Sequence, residues 1–410
     1  MKILLLTPQP PLPAHQGTAL RNWGILRHLA ARHAVTLLSF APAEGAAPPP
    51  DLAAACRAIH LVPAPVRPAS ARLRTAAAGR ADLADRLWSP EFAATLQRLI
   101  MDSPPDLVQL EGLELGRYLA VARQCRPGLP IVYDAHNAEV TIQWRGWRSD
   151  RATPSRWLAA AYSRLQVGRL ARLETSVCRQ ADAVTCVSVT DAAALQRLVP
   201  SLRPVVVPNG IELADYTPPA QATAPEPLLT FTGKMDYRPN VDAAVWFASD
   251  IMPGIRLAWP AARFQVIGQQ PTARLLRHHG RGGVEVVGAV ADIQPYIKSC
   301  AVYVAPLRMG GGTRFKLLEA MALARPVVAT TIGAEGFGVE SGRDLLIADD
   351  TQDFAQAVIS LLGDHALAAG LGRAGRTFVE AAYDWGAILP RLEALYKEVV
   401  ARSALRAASG

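Results

Sequence analysis

Cysteine, lysine and several well-known catalytic motifs are scarce or missing in this chain of 410 residues. Its five cysteines are odd in number, widely spaced and without a C-x-x-C pair, which argues against a disulfide framework and favours a reducing compartment. The P-loop pattern G-x-x-x-x-G-K-[ST], the zincin pattern H-E-x-x-H and the hydrolase pattern G-x-S-x-G are absent, so these enzyme classes lose their usual support. The apolar run at residues 1–7 is too short for a signal peptide or a membrane span. We therefore expect a cytoplasmic protein.

What is present indicates a folded protein of two or three domains. Half of the residues are apolar and 19% are charged, a composition that can bury a core and that excludes an intrinsically disordered chain. The formal charge of +8 is unevenly distributed. Residues 1–210 carry 24 Lys and Arg against 15 acidic residues, whereas residues 211–410 carry 19 against 20. The two halves are therefore expected to meet different partners.

Short apolar runs alternate with helix-length segments in both halves of the chain, which predicts an α/β protein with two doubly wound parallel sheets of the Rossmann type. The predicted strands are 3–7, 35–40, 59–62, 107–110, 131–133, 184–187, 205–207, 228–232, 264–267, 284–287, 302–305 and 327–330. Ligands of such sheets bind beyond the carboxyl ends of the strands, here in a cleft expected between the domains. The proline-rich stretch 209–227 predicts a linker between an N-terminal domain, 1–208, and a C-terminal domain, 228–410, that ends in a helix.

Three consecutive glycines, Gly310, Gly311 and Gly312, follow the strand predicted at 302–305. Thr313 can cap the helix that comes next. Glycines let a phosphate or a sugar approach the main chain, and the start of a helix favours negative charge. The loop is therefore a candidate binding element for a phosphate or a sugar, although an ordinary glycine turn has the same sequence.

Glu319 lies on that helix among Leu317, Leu318, Ala320 and Met321. A carboxylate in apolar surroundings is costly unless it has hydrogen-bond donors. A ribose diol would supply two donors. The alternative is a structural ion pair with Lys316 or with an arginine from elsewhere.

A second glycine turn occurs in the sequence F-T-G-K-M-D-Y-R-P-N at 231–240. Lys234 and Arg238 leave the carboxyl end of the predicted strand 228–232, where two cations could hold a diphosphate. The chain has only five lysines against 38 arginines, so a lysine at a strand end is a weak pointer to function. The alternative is two solvated basic residues in a loop.

In the first half, Y-D-A-H-N-A-E at 133–139 ends a buried strand in polar residues. Strand alternation puts Asp134 and His136 on the same side, and His136 is the candidate catalytic residue, with Asp134 and Glu139 behind it. A structural histidine is the alternative. Gly17, at the end of the proline-rich loop after the first strand, could let a ligand approach the main chain.

Seven arginines and three tryptophans are interleaved between Trp144 and Arg172, with Asp150 as the only acid. Such a stretch suits an anionic membrane surface or an anionic acceptor. A helix that packs its apolar stripe on its own domain, with arginines in water, is an equally good interpretation. No nucleic-acid-binding module accompanies the charge, so nucleic acid is not an expected partner.

These motifs resemble those of the GT-B fold glycosyltransferases, above all family 4, the retaining enzymes of bacterial polysaccharide and glycolipid assembly. The resemblance rests on V-P-N-G-I at 207–211, F-T-G-K at 231–234, G-G-G-T-R-F-K-L-L-E-A-M-A at 310–322 and, more loosely, Y-D-A-H-N-A-E at 133–139. It implies that the chain transfers a hexosyl residue from a nucleoside-diphosphate sugar to a hydroxyl of a saccharide or lipid-linked acceptor. Members of this fold usually need no metal or other cofactor.

The resemblance also implies roles for individual residues. Glu319 would hold the ribose, Lys234 with Arg238 the diphosphate, and His136 would lie against the transferred sugar. Two positions depart from the family pattern: Gly311 stands where a sugar-binding glutamate is usual, and Asn240 stands where a second basic residue is often found. A sugar-nucleotide epimerase of the same fold and a non-catalytic nucleotide-sugar binding protein are the alternative functions.

Overall fold

Two parallel β-sheets, one in each half of the chain, organise the protein in a computed structural model. The structure describes residues 1–14, 17–41, 47–68, 75, 78–151, 157–219, 226–310 and 315–409. The chain divides into two units: Met1–Pro208 with Ile388–Gly410, and Asn209–Ala387. The predicted fold class is confirmed, because each unit is built on a parallel sheet flanked by helices.

The sheet of the first unit has seven strands in the order β3-β2-β1-β4-β5-β6-β7. Its strands are β1 (Lys2–Thr7), β2 (Ala34–Ala41), β3 (Ala58–Pro63), β4 (Leu107–Glu111), β5 (Ile131–Ala135), β6 (Ala183–Cys186) and β7 (Val205–Val206). All adjacent pairs are parallel. The central strands are buried along almost their whole length, as their continuous apolar sequences predict. The chain order reverses between β1 and β4, where ligands of such sheets usually bind.

Helices cover this sheet: α1 (Gly17–Ala30), α2 (Pro50–Ala55), α3 (Asp82–Arg86), α4 (Pro90–Asp102), α5 (Gly116–Cys125), α6 (Glu139–Arg151), α7 (Trp157–Gln180) and α8 (Val189–Leu198). Local sequence signals set several of their starts. Ser89 precedes Pro90, the first residue of α4, and its side chain accepts a hydrogen bond from the Phe92 amide. Ser188 caps α8 in the same way. A short 3₁₀ turn, Leu113–Leu115, joins β4 to α5.

The sheet of the second unit has six strands in the order β10-β9-β8-β11-β12-β13. They are β8 (Leu228–Thr232), β9 (Arg263–Ile267), β10 (Val284–Gly288), β11 (Val302–Ala305), β12 (Val327–Ala329) and β13 (Leu346–Ile347). Its helices are α9 (Arg238–Trp246), α10 (Met252–Ala258), α11 (Ala273–Leu276), α12 (Gln294–Ser299), α13 (Phe315–Ala322), α14 (Thr351–Gly363) and α15 (His365–Ala382), with a π-helical turn at Phe247–Ile251. β8 and β11 lie at the switch point of this sheet.

The sequence predicts that the final helix, α16 (Trp385–Ser409), belongs to the C-terminal domain, but most of this helix belongs to the first unit. From Ile388 onwards it belongs to the first unit, because Leu389, Leu392, Tyr396 and Val399 are buried there. Amphipathic spacing alone could not show which unit covers this apolar face.

The described part of the predicted linker, residues 209–219 and 226–227, also differs from a free connection. Ile211 forms a bridge with Asp384, and its amide donates to the Tyr383 carbonyl over 2.8 Å. Gly210 packs so closely on Trp385 that a Cβ there would lie 2.5 Å from the indole. This segment is therefore part of the second unit.

A glycine spacing typical of dinucleotide-binding turns lies inside a helix of the second unit. A G-x-G-x-x-G spacing at Gly370–Gly375 falls within α15 rather than at a strand-to-helix turn, so it cannot act as a dinucleotide fingerprint.

Among the described helices, none is long and apolar enough to cross a membrane alone; α14 and α15, bent by 104°, pass that test only as a pair and only by length and composition.

Candidate functional site

Four charged side chains meet at the carboxyl ends of β4 and β5 in the first unit. Glu111 is the last residue of β4, Asp134 lies in β5, and His136 follows β5 directly. His136 Nε2 lies 2.7 Å from Glu111 Oε2 and 3.7 Å from Asp134 Oδ2. The predicted placement of Asp134 and His136 on one side is therefore observed. The imidazole is 12% exposed and both carboxylates are buried.

Arg21 of α1 completes this group. Its guanidinium donates to both carboxylate oxygens of Asp134, over 2.7 and 3.0 Å, and to the Pro208 carbonyl over 3.1 Å. The Thr185 hydroxyl donates to Asp134 over 2.5 Å. A buried carboxylate with a two-pronged arginine partner is stabilised in its charged form. Asp134 therefore acts as an anchor of the network rather than as a proton carrier.

The pKa values of the group follow from burial and from these partners. Burial works to raise the pKa of Asp134, but Arg21 outweighs it and holds that pKa below its usual range. Burial, followed by repulsion from Asp134, raises the pKa of Glu111. Burial works to lower the pKa of His136, yet the hydrogen bond and the charge of Glu111 more than offset it, so the pKa of His136 is raised. Glu111 and His136 therefore both bind a proton more tightly here than they would in water.

The ligand atoms of Glu111, Asp134 and His136 lie within 4.8 Å of one another, a spacing that could hold a metal ion. Arg21 already occupies both oxygens of Asp134, and its positive charge opposes a second cation in the same place. The chemistry of this group is therefore that of a charged hydrogen-bond network.

Gly17 and Glu139 stand at helix starts in the first unit. Gly17 is the exposed first residue of α1. Glu139 begins α6, and its amide donates to the buried carboxylate of Glu174 over 3.0 Å. Glu174 therefore serves the first turn of α6 as a structural cap.

Glu319 lies on α13 in the second unit, as predicted. It takes a hydrogen bond of 3.2 Å from the Tyr216 hydroxyl. Burial raises the pKa of Glu319 to about 7; the Tyr216 bond and the charge of Lys316 act against this rise, and Asp292 adds to it. In the part of the chain that the structure describes, Tyr216 is the hydrogen-bond donor to this carboxylate, which is therefore suited to accept further hydrogen bonds from a hydroxylated ligand.

Lys316 does not hydrogen-bond to Glu319 in the contacts that the structure describes. Its Nζ donates to Asn240 Oδ1 over 2.8 Å and lies 4.3 Å from the centre of the Phe231 ring. The Asn240 amide in turn donates to the Lys234 carbonyl over 2.9 Å. The ammonium group therefore reaches back to the carboxyl end of β8.

The other predicted donor-binding residues lie around the same strand ends. Lys234 follows β8, is about half exposed and pairs with Asp236 over 3.4 Å. Arg238 is the exposed first residue of α9. Gly310, with φ of 120°, follows β11. The remaining candidates Gly311, Gly312 and Thr313 lie outside the described residues.

Sequence reasoning missed four residues of these two groups: Arg21, Glu111, Tyr216 and Asn240. Glu111 could have been found, since it ends the predicted strand L-V-Q-L-E at 107–111 as Asp134 ends the next one. Arg21 and Tyr216 carry no local signal, because their partners lie 113 and 103 residues away in sequence.

Two family models match the chain in sequence. The model "Glycosyltransferase Family 4" matches residues 16–215, and "Glycosyl transferases group 1" matches residues 226–364. Together they contain every site residue described above except Tyr216.

Curated relatives include phosphatidylinositol mannosyltransferases. A phosphatidyl-myo-inositol mannosyltransferase of Propionibacterium freudenreichii subsp. shermanii is 31% identical over 52% of this chain and 56% of the relative. A GDP-mannose-dependent monoacylated alpha-(1-6)-phosphatidylinositol monomannoside mannosyltransferase of Corynebacterium glutamicum is 27% identical over 45% of this chain and 54% of the relative. The chain thus spans about half the length of the curated relatives it matches.

Solved structures with the same fold cover nearly the whole chain. Sucrose-phosphate synthase from Thermosynechococcus elongatus aligns with a TM-score of 0.75 at 20% identity, over 98% of this chain and 100% of the other. HepE of Anabaena, in complex with UDP and glucose, aligns with a TM-score of 0.68 at 16% identity, over 97% and 100%. The two matched models and the shared architecture lead to one conclusion: the chain belongs to the family 4 glycosyltransferases with the GT-B fold.

Proposed function

We propose that this protein transfers a sugar from a nucleoside-diphosphate sugar to an acceptor hydroxyl, with retention of configuration. The observation that carries the proposal is Glu319, a carboxylate with a raised pKa at the carboxyl edge of the second sheet, inside the matched group 1 region. The structure of HepE with UDP-glucose, 16% identical, supports a nucleotide-sugar donor for this fold. Two curated relatives support a mannosyl group and a lipid-linked acceptor.

In the proposed reaction, ionised Glu319 accepts hydrogen bonds from the ribose hydroxyls. Basic side chains at the end of β8, Lys234 first, stabilise the charge that develops on the departing diphosphate. His136, whose pKa is raised above its usual value, donates a hydrogen bond to the transferred sugar. The leaving diphosphate takes the acceptor proton, so no protein nucleophile is required. We further propose that these protein cations serve in place of a metal, which predicts transfer that survives EDTA.

An anionic membrane surface is the proposed place of the acceptor, at the cytoplasmic face. α6 and α7 expose large apolar side chains: Trp144 is 40%, Tyr162 49%, Leu165 51% and Trp157 64% exposed. Trp144 and Trp147 pack at 4.6 Å, and the Arg164 guanidinium lies about 6 Å from both rings. Aromatic and arginine side chains that alternate on one exposed surface suit a layer of anionic headgroups.

The donor assignment is tested by Glu319→Gln with Glu285→Gln as a matched control. Both glutamates lie in the second unit and are partly buried, but Glu285 contacts Gln265 on the neighbouring strand. We expect transfer and binding of UDP or GDP to fall at least about tenfold in Glu319→Gln and to persist in the control. Unchanged transfer by Glu319→Gln would refute the assignment. Product formed without any acceptor would indicate an epimerase, and the anomeric configuration of the product tests retention.

The membrane assignment is tested by co-sedimentation with vesicles of phosphatidylglycerol and phosphatidylcholine. The double variant Trp144→Ser with Trp157→Ser should bind less, whereas an exposed charge change in the other unit, Arg281→Gln, should bind as the original protein does. Binding should weaken with added salt, because exposed charges are screened. Absence of sedimentation, or sedimentation that ignores both salt and the tryptophan changes, would contradict the assignment.

A further inference from the structure

Lys316 places its ammonium group against the main chain at the end of β8. A Cβ built on Gly233 would lie 2.7 Å from Lys316 Nζ and 2.7 Å from Asn240 Nδ2. Gly233 has φ of 151°, a conformation that side-chain-bearing residues rarely adopt. The glycine therefore leaves room for a cation beside the strand end, where parallel sheets bind their ligands.

The ammonium group is held in this place from two sides. Asn240 accepts its hydrogen bond at 2.8 Å and is itself fixed by donation to the Lys234 carbonyl. The face of Phe231 lies 4.3 Å away, which adds a cation–π contact. Both contacts position the ammonium beside the end of β8.

Lys316 and Glu319 stand three residues apart on α13, and residues at this spacing lie on one face of a helix. A nucleotide whose ribose is held by Glu319 can therefore direct its phosphates toward Lys316 and the start of α13. Lys234 leaves the same strand end, although Asp236 pairs with it at 3.4 Å. Two lysines from two elements thus converge on the end of β8.

We propose that Lys316 is a diphosphate-binding residue of the donor site, positioned by Asn240 and acting beside Lys234. This inference rests on the proposed function, since it presumes a nucleoside-diphosphate donor. It assigns to a helix residue the cationic role that sequence reasoning gave to Arg238.

The test compares Lys316→Met, Lys316→Arg and the matched control Lys298→Met, a lysine of α12 in the same unit. Methionine keeps the unbranched stem over Phe231 and removes the charge together with the hydrogen bond to Asn240. Calorimetry with UDP and GDP should show an affinity lowered about tenfold or more in Lys316→Met, partial recovery in Lys316→Arg, and no change in the control. Uridine and guanosine, measured by competition as phosphate-free probes, should bind all variants equally.

The outcomes separate this inference from the function on which it rests. If the unaltered protein binds none of UDP, GDP, ADP and dTDP, the nucleoside-diphosphate donor is refuted, and the role of Lys316 with it. If it binds one of them and Lys316→Met binds it within twofold, only the role of Lys316 is refuted. Equal losses for the diphosphate and the nucleoside, with a lower melting temperature, would show that Lys316 is merely structural and would also overturn the proposal.

Discussion

At the scale of single residues, the pKa of Glu319 depends on its burial and on the charged and titratable groups around it. Tyr216 donates a hydrogen bond to it, Lys316 on its own helix attracts its charge, and Asp292, just before α12, repels it. Tyr303 on β11 also faces it. With a pKa of about 7, the acceptor form of Glu319 is lost as the pH falls through neutrality. Nucleotide binding should follow the same course.

Tyr216→Phe removes the hydroxyl that helps to lower the pKa of Glu319. We therefore expect the acid limb of UDP or GDP affinity to move to higher pH, with binding weakened several-fold at pH 7 and little changed at pH 9. Calorimetric titrations at five pH values give this profile. A uniform loss of affinity at every pH would contradict the assignment of Tyr216 as a group that tunes Glu319.

Glu319 also links donor binding to stability. Its pKa is about 7 in the folded protein against an ordinary 4.5, so the folded state binds this proton more tightly than the unfolded chain does. The proton on Glu319 stabilises the folded state fully below pH 4.5, and this stabilisation is lost as the pH rises through 7. Glu319→Gln should therefore gain about 1–2 kcal/mol in unfolding free energy at pH 8 and almost nothing at pH 4. Denaturant unfolding at both pH values would show whether the gain has this sign.

At the scale of elements, the strand ends of the second unit are packed backbone against backbone. Gly268 follows β9 with φ of 156°, and a Cβ there would lie 1.6 Å from the Gly233 carbonyl oxygen. The Gly233 amide donates to the Ile267 carbonyl over 3.0 Å. The loop that carries Lys234 is thus held by its contact with the end of β9.

Gly268→Ala should force these two strand ends apart. We expect a loss of at least about 2 kcal/mol in the stability of the second unit and weaker binding of UDP or GDP. Gly254→Ala is the control, since a Cβ at this helical position would meet, among the described residues, only Ala355 at 3.6 Å. This variant should be neutral or more stable by up to about 1 kcal/mol. Equal melting temperatures for the two variants would contradict the close contact.

The elements that sequence pattern predicted are those with continuous apolar runs. Each of the twelve predicted strands overlaps an observed one. The prediction lacks β13, although this strand lies in the apolar residues 345–348. It has only two residues and is defined by its pairing with β12. Contacts between residues distant in sequence also limited the prediction of the site residues. Glu319 and His136 stand out locally, whereas the position of Lys316 depends on a hydrogen bond to Asn240, 76 residues away in sequence.

At the scale of the whole molecule, the first unit is completed by residues distant in sequence. The first unit takes its last helical segment from the carboxyl end of the chain. Glu393 of that segment contacts Arg32 at 2.8 Å and His33 at 3.1 Å. The folding of the first unit therefore requires residues that are synthesised only after the whole second unit.

This dependence can be measured with two leucines of α16. Leu392 is 1% exposed and Leu405 is 71% exposed. Leu392→Ala leaves a cavity in the first unit and should cost about 2–5 kcal/mol, whereas Leu405→Ala should cost about 0.5 kcal/mol or less. Hydrogen exchange resolved by peptide should show the lost protection in β1, β4 and β5, with the strands of the second unit unaffected. Loss of protection confined to β8 and β11 instead would show that α16 supports the second unit, as its place in the sequence alone predicts.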